Sequence, residues 1–150
     1  MDFRFKRPDG VKHQAAEATT FTFLGFTHVW GQSRRGKWVV YQRTAKERYA
    51  RTLRTIALYC KLNRHCPLAE QQTRLSQMLQ GHYAYFGITG NGKRLRWLAR
   101  KVECIWRTWL SRRTRNGQLT WEAFWRVLER YPLPSPRIYH QYTVASETTL

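Results

Sequence analysis

The stretch KRLRWLARKVECIWRTWLSRR, residues 93–113, decides how this chain folds. Its apolar residues recur at steps of 3, 4, 3 and 4, which places them on one face of an α-helix. These residues are Leu95, Leu98, Val102, Ile105 and Trp109. After Lys93, the other faces carry seven cations and a single anion, Glu103. The pattern predicts an amphipathic helix that buries one face and presents a strongly basic surface.

Two further helices are predicted before this one. The first is expected to begin at Thr44, whose side chain can form a capping box with Glu47. Its apolar face recurs at helical spacing as far as Cys60. A second helix is predicted from about Pro67 to Gly81. Its expected apolar side consists of Leu68, Gln71, Leu75, Met78 and Leu79.

The residues that flank the helices predict strands and an extended segment. Phe21–Phe26 and Trp38–Arg43 are rich in β-branched and aromatic residues, and the turn-rich segment Gly31–Lys37 lies between them. After the third helix, Thr120 can cap a short fourth helix, and the prolines of 131–137 predict an extended chain. The predicted fold is therefore mainly α, with a short N-terminal β-hairpin and antiparallel helices.

Charge and aromatic content together indicate the class of partner. The 150 residues hold 27 Lys and Arg against 9 Asp and Glu, a formal charge of +18, with 7 Trp, 8 Tyr and 7 Phe. Twenty of the cations are arginines, whose planar guanidinium binds phosphate at two points. Because like charges along one helix repel each other unless an anion lies alongside, the sequence predicts a nucleic-acid partner.

Most catalytic chemistry is disfavoured by the sequence. Two-metal phosphoryl transfer needs closely placed carboxylates, and the only aspartates are Asp2 and Asp9. Cys60, His65 and Cys66 come nearest to a metal cluster, but Cys60 lies on a predicted core face, where free cysteine packs as a small hydrophobe. We therefore expect no catalytic residue, metal ligand or bound cofactor in this chain. The odd count of three cysteines predicts free thiols in a reducing, cytoplasmic compartment, and no membrane span is expected.

The aromatic residues fall into three predicted groups. Three tryptophans are assigned to the core: Trp109, Trp121 and Trp125. Two others could offer stacking surfaces to bases: Trp38 and Trp97. A third group is expected to fix the angle between helices, with contact to a base as the alternative: Tyr83, Tyr85 and Phe86.

Three segments in order resemble the C-terminal part of bacterial group II intron reverse transcriptase/maturases. They are TFTFLGFTHVWG (20–31), LQGHYAYFGITGN (79–91) and the region from WLSRR to YPLPSPRI (109–138). The resemblance implies that 1–43 is the end of the reverse-transcriptase palm. It further implies that 44–113 is the maturase-specific thumb, also called domain X, a thumb-like helical bundle. Residues 114–138 then resemble a small DNA-binding region, and 139–150 form a tail.

The resemblance implies RNA binding rather than catalysis by this chain alone. Full-length members copy RNA into DNA with paired palm aspartates that hold Mg²⁺, and they stabilise their intron RNA for splicing. This chain contains no adjacent aspartates, and the fingers, most of the palm and the endonuclease module are missing. We therefore expect a fragment that binds RNA. The alternatives are the tail of an active polymerase whose palm lies upstream of Met1 or on another polypeptide, and a ribosomal-type RNA binder, which the seven tryptophans disfavour.

The expected contact residues lie on the helices and at the hairpin tip. Structured intron RNA or an RNA/DNA duplex is the expected partner, with target DNA and the missing reverse-transcriptase portion as further partners. The predicted RNA-binding residues are Arg48, Arg51, Arg54, Arg94, Arg96, Arg100, Lys101, Arg107, Arg112 and Arg113. The predicted contacts at the hairpin tip are Arg34 and Arg35.

Overall fold

A computed structural model of the protein describes residues 21–32, 34–113, 115 and 117–141. The first 20 residues of the predicted palm remnant and the tail beyond residue 141 lie outside the described residues. In chain order the elements are β1 (Phe21–Phe23), β2 (Phe26–Gln32), β3 (Trp38–Thr44), α1 (Lys46–Leu62), α2 (Leu68–Phe86), α3 (Gly92–Ser111) and α4 (Trp121–Arg130). The described chain is mainly helical and carries an antiparallel sheet at its N-terminal end.

The sheet has three antiparallel strands in the order β1-β2-β3, so the predicted single hairpin is wrong in detail. The segment 21–26 is not one strand, because Leu24 and Gly25 form a tight turn with φ of 50° and 82°. Positive φ at both central residues suits the twist of paired strands. Gly31, predicted in the turn, lies in β2 opposite Val39. A Cβ at Gly31 would lie 2.7 Å from the Tyr41 ring, so glycine is needed inside this strand.

The predicted capping box at Thr44 is also wrong. Thr44 is the last residue of β3 and is buried, and α1 begins after Ala45 without a side-chain cap. The Thr44 side chain is held instead by Asn91, which is fully buried just before α3. Ala45 donates its backbone N–H to the Gly25 carbonyl at 2.8 Å. The sheet is thus fixed to the start of α1 by long-range hydrogen bonds rather than by a local cap.

The second helix is longer than predicted, because it passes through Gly81 and ends at Phe86. Glycine inside a helix costs about 1 kcal/mol relative to alanine. The added turn buries His82, Tyr83 and Phe86 against the core. Burial of a large side chain stabilises by about 1.5–3 kcal/mol, so packing outweighs the glycine penalty.

The core lies where α1, α2 and α3 meet. The buried stripe of α3 is Leu95, Leu98, Val102, Trp106 and Leu110. The predicted stripe continues through Ile105 and Trp109 instead, and both of these residues are only partly buried at the edge of the core. Trp106 donates its indole N–H to Gln71 of α2 at 3.0 Å, so both buried polar groups are satisfied.

Contacts between named residues give the helix directions. Thr52, early in α1, contacts His82, late in α2. Gln71, early in α2, contacts Trp106, late in α3. Near the start of both helices Arg94 of α3 lies against Tyr49 of α1, and near their ends Lys61 of α1 lies over the Trp109 ring of α3, so α1 and α3 run in the same direction.

The end of the described chain packs back onto the helices. Thr120 caps α4 as predicted, because its hydroxyl accepts the N–H of Ala123 at 3.2 Å. Phe124 is fully buried, but the core assignment of Trp121 and Trp125 is wrong, since they are 38% and 56% exposed. Helix α4 docks through Phe124, so Trp121 packs only partly, against the Phe124 ring and the Arg107 guanidinium, and Trp125 extends into solvent.

Residues 131–140 form an extended segment, here called the C-terminal strap. Gln72 and Tyr83 of α2 donate side-chain hydrogen bonds to the Pro132 and Pro134 carbonyls. The N–H groups of Tyr139 and His140 both donate to the Gly87 carbonyl. The strap thus lies along α2 and ends beside the α2–α3 connection.

Candidate nucleic-acid interface

The described part of the chain holds most of the excess positive charge. Between residues 21 and 141 the sequence has 23 Lys and Arg and five carboxylates, all glutamate. At most five cations can therefore pair one-to-one with a carboxylate in this region. The remaining positive charge must be dispersed in solvent or neutralised by an external anion.

The outward face of α3 concentrates this charge. Its exposed positions recur at steps of three and four, as expected for one face of a helix. They include four cations, namely Lys93, Arg96, Arg100 and Lys101, together with Trp97, Cys104 and Thr108, and the exposed Arg112 follows as the C-cap of the helix. The one acid of α3, Glu103, is only half-buried at the edge of this face, and its pKa is raised by burial and lowered to a smaller extent by Arg100.

A second set of cations lies along the seam between α1 and α3. Arg94 lies with its guanidinium carbon 5.8 Å from the centre of the Tyr49 ring of α1. At the other end of the seam, Lys61 and Arg112 both lie over the Trp109 ring, at 6.0 and 4.7 Å. These aromatic contacts orient the cationic groups without neutralising them.

The predicted arginines of α1 and of the hairpin tip are exposed. Arg51 and Arg54 lie in solvent on α1, with Arg51 beside a small depression that also includes Thr52 and His82. Arg48 is exposed too, and its stem passes close to Gly25 of the sheet. Arg34 and Arg35 lie together in the exposed β2–β3 turn.

Two predicted RNA-binding arginines have structural partners inside the protein. Arg107 donates to the Leu119 carbonyl at 2.6 Å, and its guanidinium carbon lies 4.4 Å from the centre of the Trp121 ring. Arg113 donates to the Cys66 carbonyl at 3.4 Å and is half-buried. The guanidinium of Arg107 thus connects α3 to the segment that leads into α4.

A groove of about 810 Å³ lies between α3 and the C-terminal strap. Its lining consists of Arg96, Trp97, Ala99, Arg100, Lys101, Glu103, Cys104 and Pro136. The sequence identified the basic residues and Trp97 as candidates, but it gave no sign that Pro136 lies opposite them. Pro136 is 32 to 40 positions from the α3 residues of the groove (136 − 104 and 136 − 96), so only the path of the strap shows that they share it.

The aromatic signature of 82–86 is a packing cluster. Tyr83 and Phe86 are buried in the core. Tyr85 is half exposed, stacks on Phe26 with ring centres 5.6 Å apart, and donates its hydroxyl hydrogen bond to the Leu24 carbonyl. The cluster therefore joins α2 to the sheet.

The buried titratable side chains Cys60 and His82 pack inside the protein. Burial raises the pKa of Cys60 to about 12 and lowers the pKa of His82 to about 4. Both groups are consequently uncharged at neutral pH. Within the described ranges, no three His, Cys, Asp or Glu side chains are grouped so that they could hold a metal ion.

Comparisons with known proteins leave the family unidentified: no family model, no curated protein and no solved structure matches the chain. None of the helices in the part of the chain described here is both long and apolar enough to cross a bilayer.

Proposed function

We propose that this chain is the RNA-binding thumb/maturase portion of a group II intron-encoded reverse transcriptase, acting in the cytoplasm. The observation that carries the proposal is the outward face of α3 with its C-cap Arg112, which together present five exposed cations and no exposed carboxylate. Bound to intron RNA or to a template–primer duplex, this surface would aid splicing and retrohoming.

The mechanism is phosphate neutralisation by a rigid basic surface. The buried stripe of α3 fixes the helix, and the aromatic contacts of Arg94 and Arg112 restrict where two of the cations can lie. Double-stranded RNA has a narrow, deep major groove, so shape and phosphate spacing dominate its recognition. Cations that are oriented in advance, as Arg94 and Arg112 are, lose less side-chain entropy on binding than those of a flexible polycation.

Several features of the fold support the assignment to a thumb. In the proposal, the sheet is the end of the palm, and α1–α3 form the antiparallel, thumb-like bundle that follows it. The close passage from β3 into α1, with Ala45 bonded to Gly25, suits a junction of that kind. The segment 114–138 would then be the small region that contacts target DNA.

A second function is favoured by the exposed apolar residues of the sheet. Phe23 and Leu24 are 60% and 66% exposed, and Trp38 is 42% exposed. A missing palm could cover them, in which case the chain is the C-terminal part of an active RNA-directed DNA polymerase. The chain alone should incorporate no nucleotide under either function, and templated synthesis by the pure protein would refute both. The two functions separate when a polypeptide that carries a palm with paired aspartates is added, because primer extension should then appear only under the second.

The salt dependence of RNA binding tests the first function. The triple variant Arg96→Gln, Arg100→Gln and Lys101→Gln should reduce the slope of log affinity against log salt by about 2–3, since each phosphate contact contributes roughly 0.7–0.9. A charge-matched control replaces Arg43, Lys46 and Arg74, which are exposed on β3, α1 and α2, by Gln. Equal effects of the two variants would mean that binding follows net charge and that the α3 face is not the interface.

A further inference from the structure

We propose that the groove between α3 and the C-terminal strap binds one unpaired nucleotide, an inference that rests on the proposed RNA-binding function. The base would lie against Trp97, and the phosphates would lie on Arg96, Arg100 and Lys101. The exposed cations alone could contact the phosphates of a duplex. The groove adds an aromatic surface that can stack only on a base whose face is free.

The first feature is an exposed indole among cations. Trp97 is 49% exposed although it lies on a helix whose core positions hold other large apolar residues. Lys93 holds the indole from outside the groove, with Nζ 5.0 Å from the ring centre. An aromatic ring that is oriented but not buried is a stacking surface, and bases stack on such rings with little regard to sequence.

The second feature is the opposite wall. Pro136 belongs to the strap, whose neighbours are anchored to α2 and to Gly87 by hydrogen bonds. The groove therefore has the Trp97 indole among charged side chains on the helix side and the Pro136 ring on the side of the extended segment. Its volume of about 810 Å³ lies within the ~300–1,000 Å³ range of small-ligand sites, which suits one nucleotide and not a helix.

The distribution of charge orients the nucleotide. Arg96, Arg100 and Lys101 are exposed, whereas Glu103 is half-buried in the same lining. A phosphate would be repelled by the Glu103 carboxylate and attracted to the exposed cations. The carboxylate can accept a hydrogen bond from the amino group of a base. The base thus lies inward and the phosphates outward.

Unpaired bases are the form of RNA that this geometry selects. In a duplex the bases are stacked on each other, and their faces are closed to protein side chains. In loops, bulges and single strands the face of a base is free to stack on Trp97. We therefore expect the groove to distinguish single-stranded from double-stranded RNA.

Binding of short labelled oligoribonucleotides, measured by fluorescence anisotropy at one salt concentration, tests this inference. Trp97→Leu should weaken binding of an unstructured single strand about 5- to 150-fold, as for the loss of one stacked base. Binding of a blunt duplex should change less than about twofold. Trp97→Phe keeps a ring and should restore most of the single-strand affinity. Trp125→Leu, which removes an exposed tryptophan outside the groove, is the matched control.

A cross-linking experiment on the unaltered protein gives a second readout. A single strand carrying 5-iodouridine, irradiated while bound, should cross-link to Trp97. Attachment confined to other residues, or an equal loss of single-strand and duplex affinity in Trp97→Leu, would overturn the inference. The salt-slope experiment above could still succeed in that case, so failure of the groove and failure of the RNA-binding function are distinguishable.

Discussion

Asn91 and Thr44 are joined by two hydrogen bonds although 47 positions separate them. The Asn91 carbonyl oxygen accepts the Thr44 backbone N–H at 2.9 Å, and its amide group donates to the Thr44 hydroxyl at 2.8 Å. The same amide also donates to the Phe86 carbonyl. One buried side chain therefore joins the end of the sheet, the end of α2 and the start of α3, the helix that carries the basic face.

Asn91→Ala should lower the free energy of unfolding by about 2–4 kcal/mol. A buried donor or acceptor left without a partner costs about 1–3 kcal/mol, and this substitution removes the Asn91 partner from both Thr44 groups. Urea unfolding followed by circular dichroism measures the loss. Asn63→Ala is the control: half-buried Asn63 donates one side-chain bond to the Tyr59 carbonyl and accepts only the weak donor Cys66 Sγ at 3.7 Å, so its loss should cost about 1 kcal/mol. A loss below 1 kcal/mol for Asn91→Ala would contradict its joining role.

Gly87→Ala and Gly81→Ala should shift stability in opposite directions. A Cβ at Gly87 would lie 2.6 Å from the Arg137 carbonyl oxygen and even closer to that of Tyr83, so the strap would have to move. We expect a loss of about 2 kcal/mol or more and faster proteolysis within 131–140. A Cβ at Gly81 meets nothing within 4 Å, so alanine inside α2 should stabilise by about 0.5–1 kcal/mol. Equal effects at the two sites would refute the close packing of the strap.

The stability of the protein should depend on the protonation of His82. Burial lowers its pKa to about 4 in the folded state, whereas the unfolded value is about 6.5. Between these two values the unfolded chain binds a proton that the folded chain excludes. The contribution of neutral His82 to the free energy of unfolding is therefore complete above about pH 6.5. It is lost as the pH falls towards 4, at up to about 1.4 kcal/mol per pH unit.

Urea unfolding at a series of pH values measures this slope. His82→Gln should flatten it, because glutamine does not titrate. His65→Gln changes an exposed histidine and should leave the slope unaltered. If His82→Gln and the original chain keep parallel curves between pH 4 and 6.5, the histidine is not the group responsible.

Arg107→Ala should act on stability, whereas Arg100→Ala should act on RNA affinity. Loss of the Arg107 bond to the Leu119 carbonyl and of its contact with Trp121 should cost about 1–3 kcal/mol. Arg100 is exposed, and its removal should change stability by less than about 0.5 kcal/mol. Thermal unfolding and RNA titration on the same samples separate the two roles. Loss of RNA binding by Arg107→Ala with unchanged stability would assign it to the interface instead.

The sequence determined the features that depend on neighbours along the chain. Helical periodicity predicted α1 and α3 to within a few residues, and the Thr120 cap marked the start of α4. These elements were predictable because side chains three and four positions apart share a helix face wherever that helix is located. The excess of arginine likewise predicted a basic surface without any knowledge of the fold.

Tertiary structure decided which of two local options each ambiguous residue adopted. Thr44 could cap a helix or end a strand, and the distant Asn91 selected the strand. Trp106 rather than Trp109 entered the core, because Gln71 of α2 could accept its N–H there. The partners of Arg107 and the position of Pro136 opposite Trp97 depend on where the chain returns after α3. Such choices are made by contacts between distant segments, whose free energies of about 1–3 kcal/mol equal or exceed local propensities of about 1 kcal/mol or less.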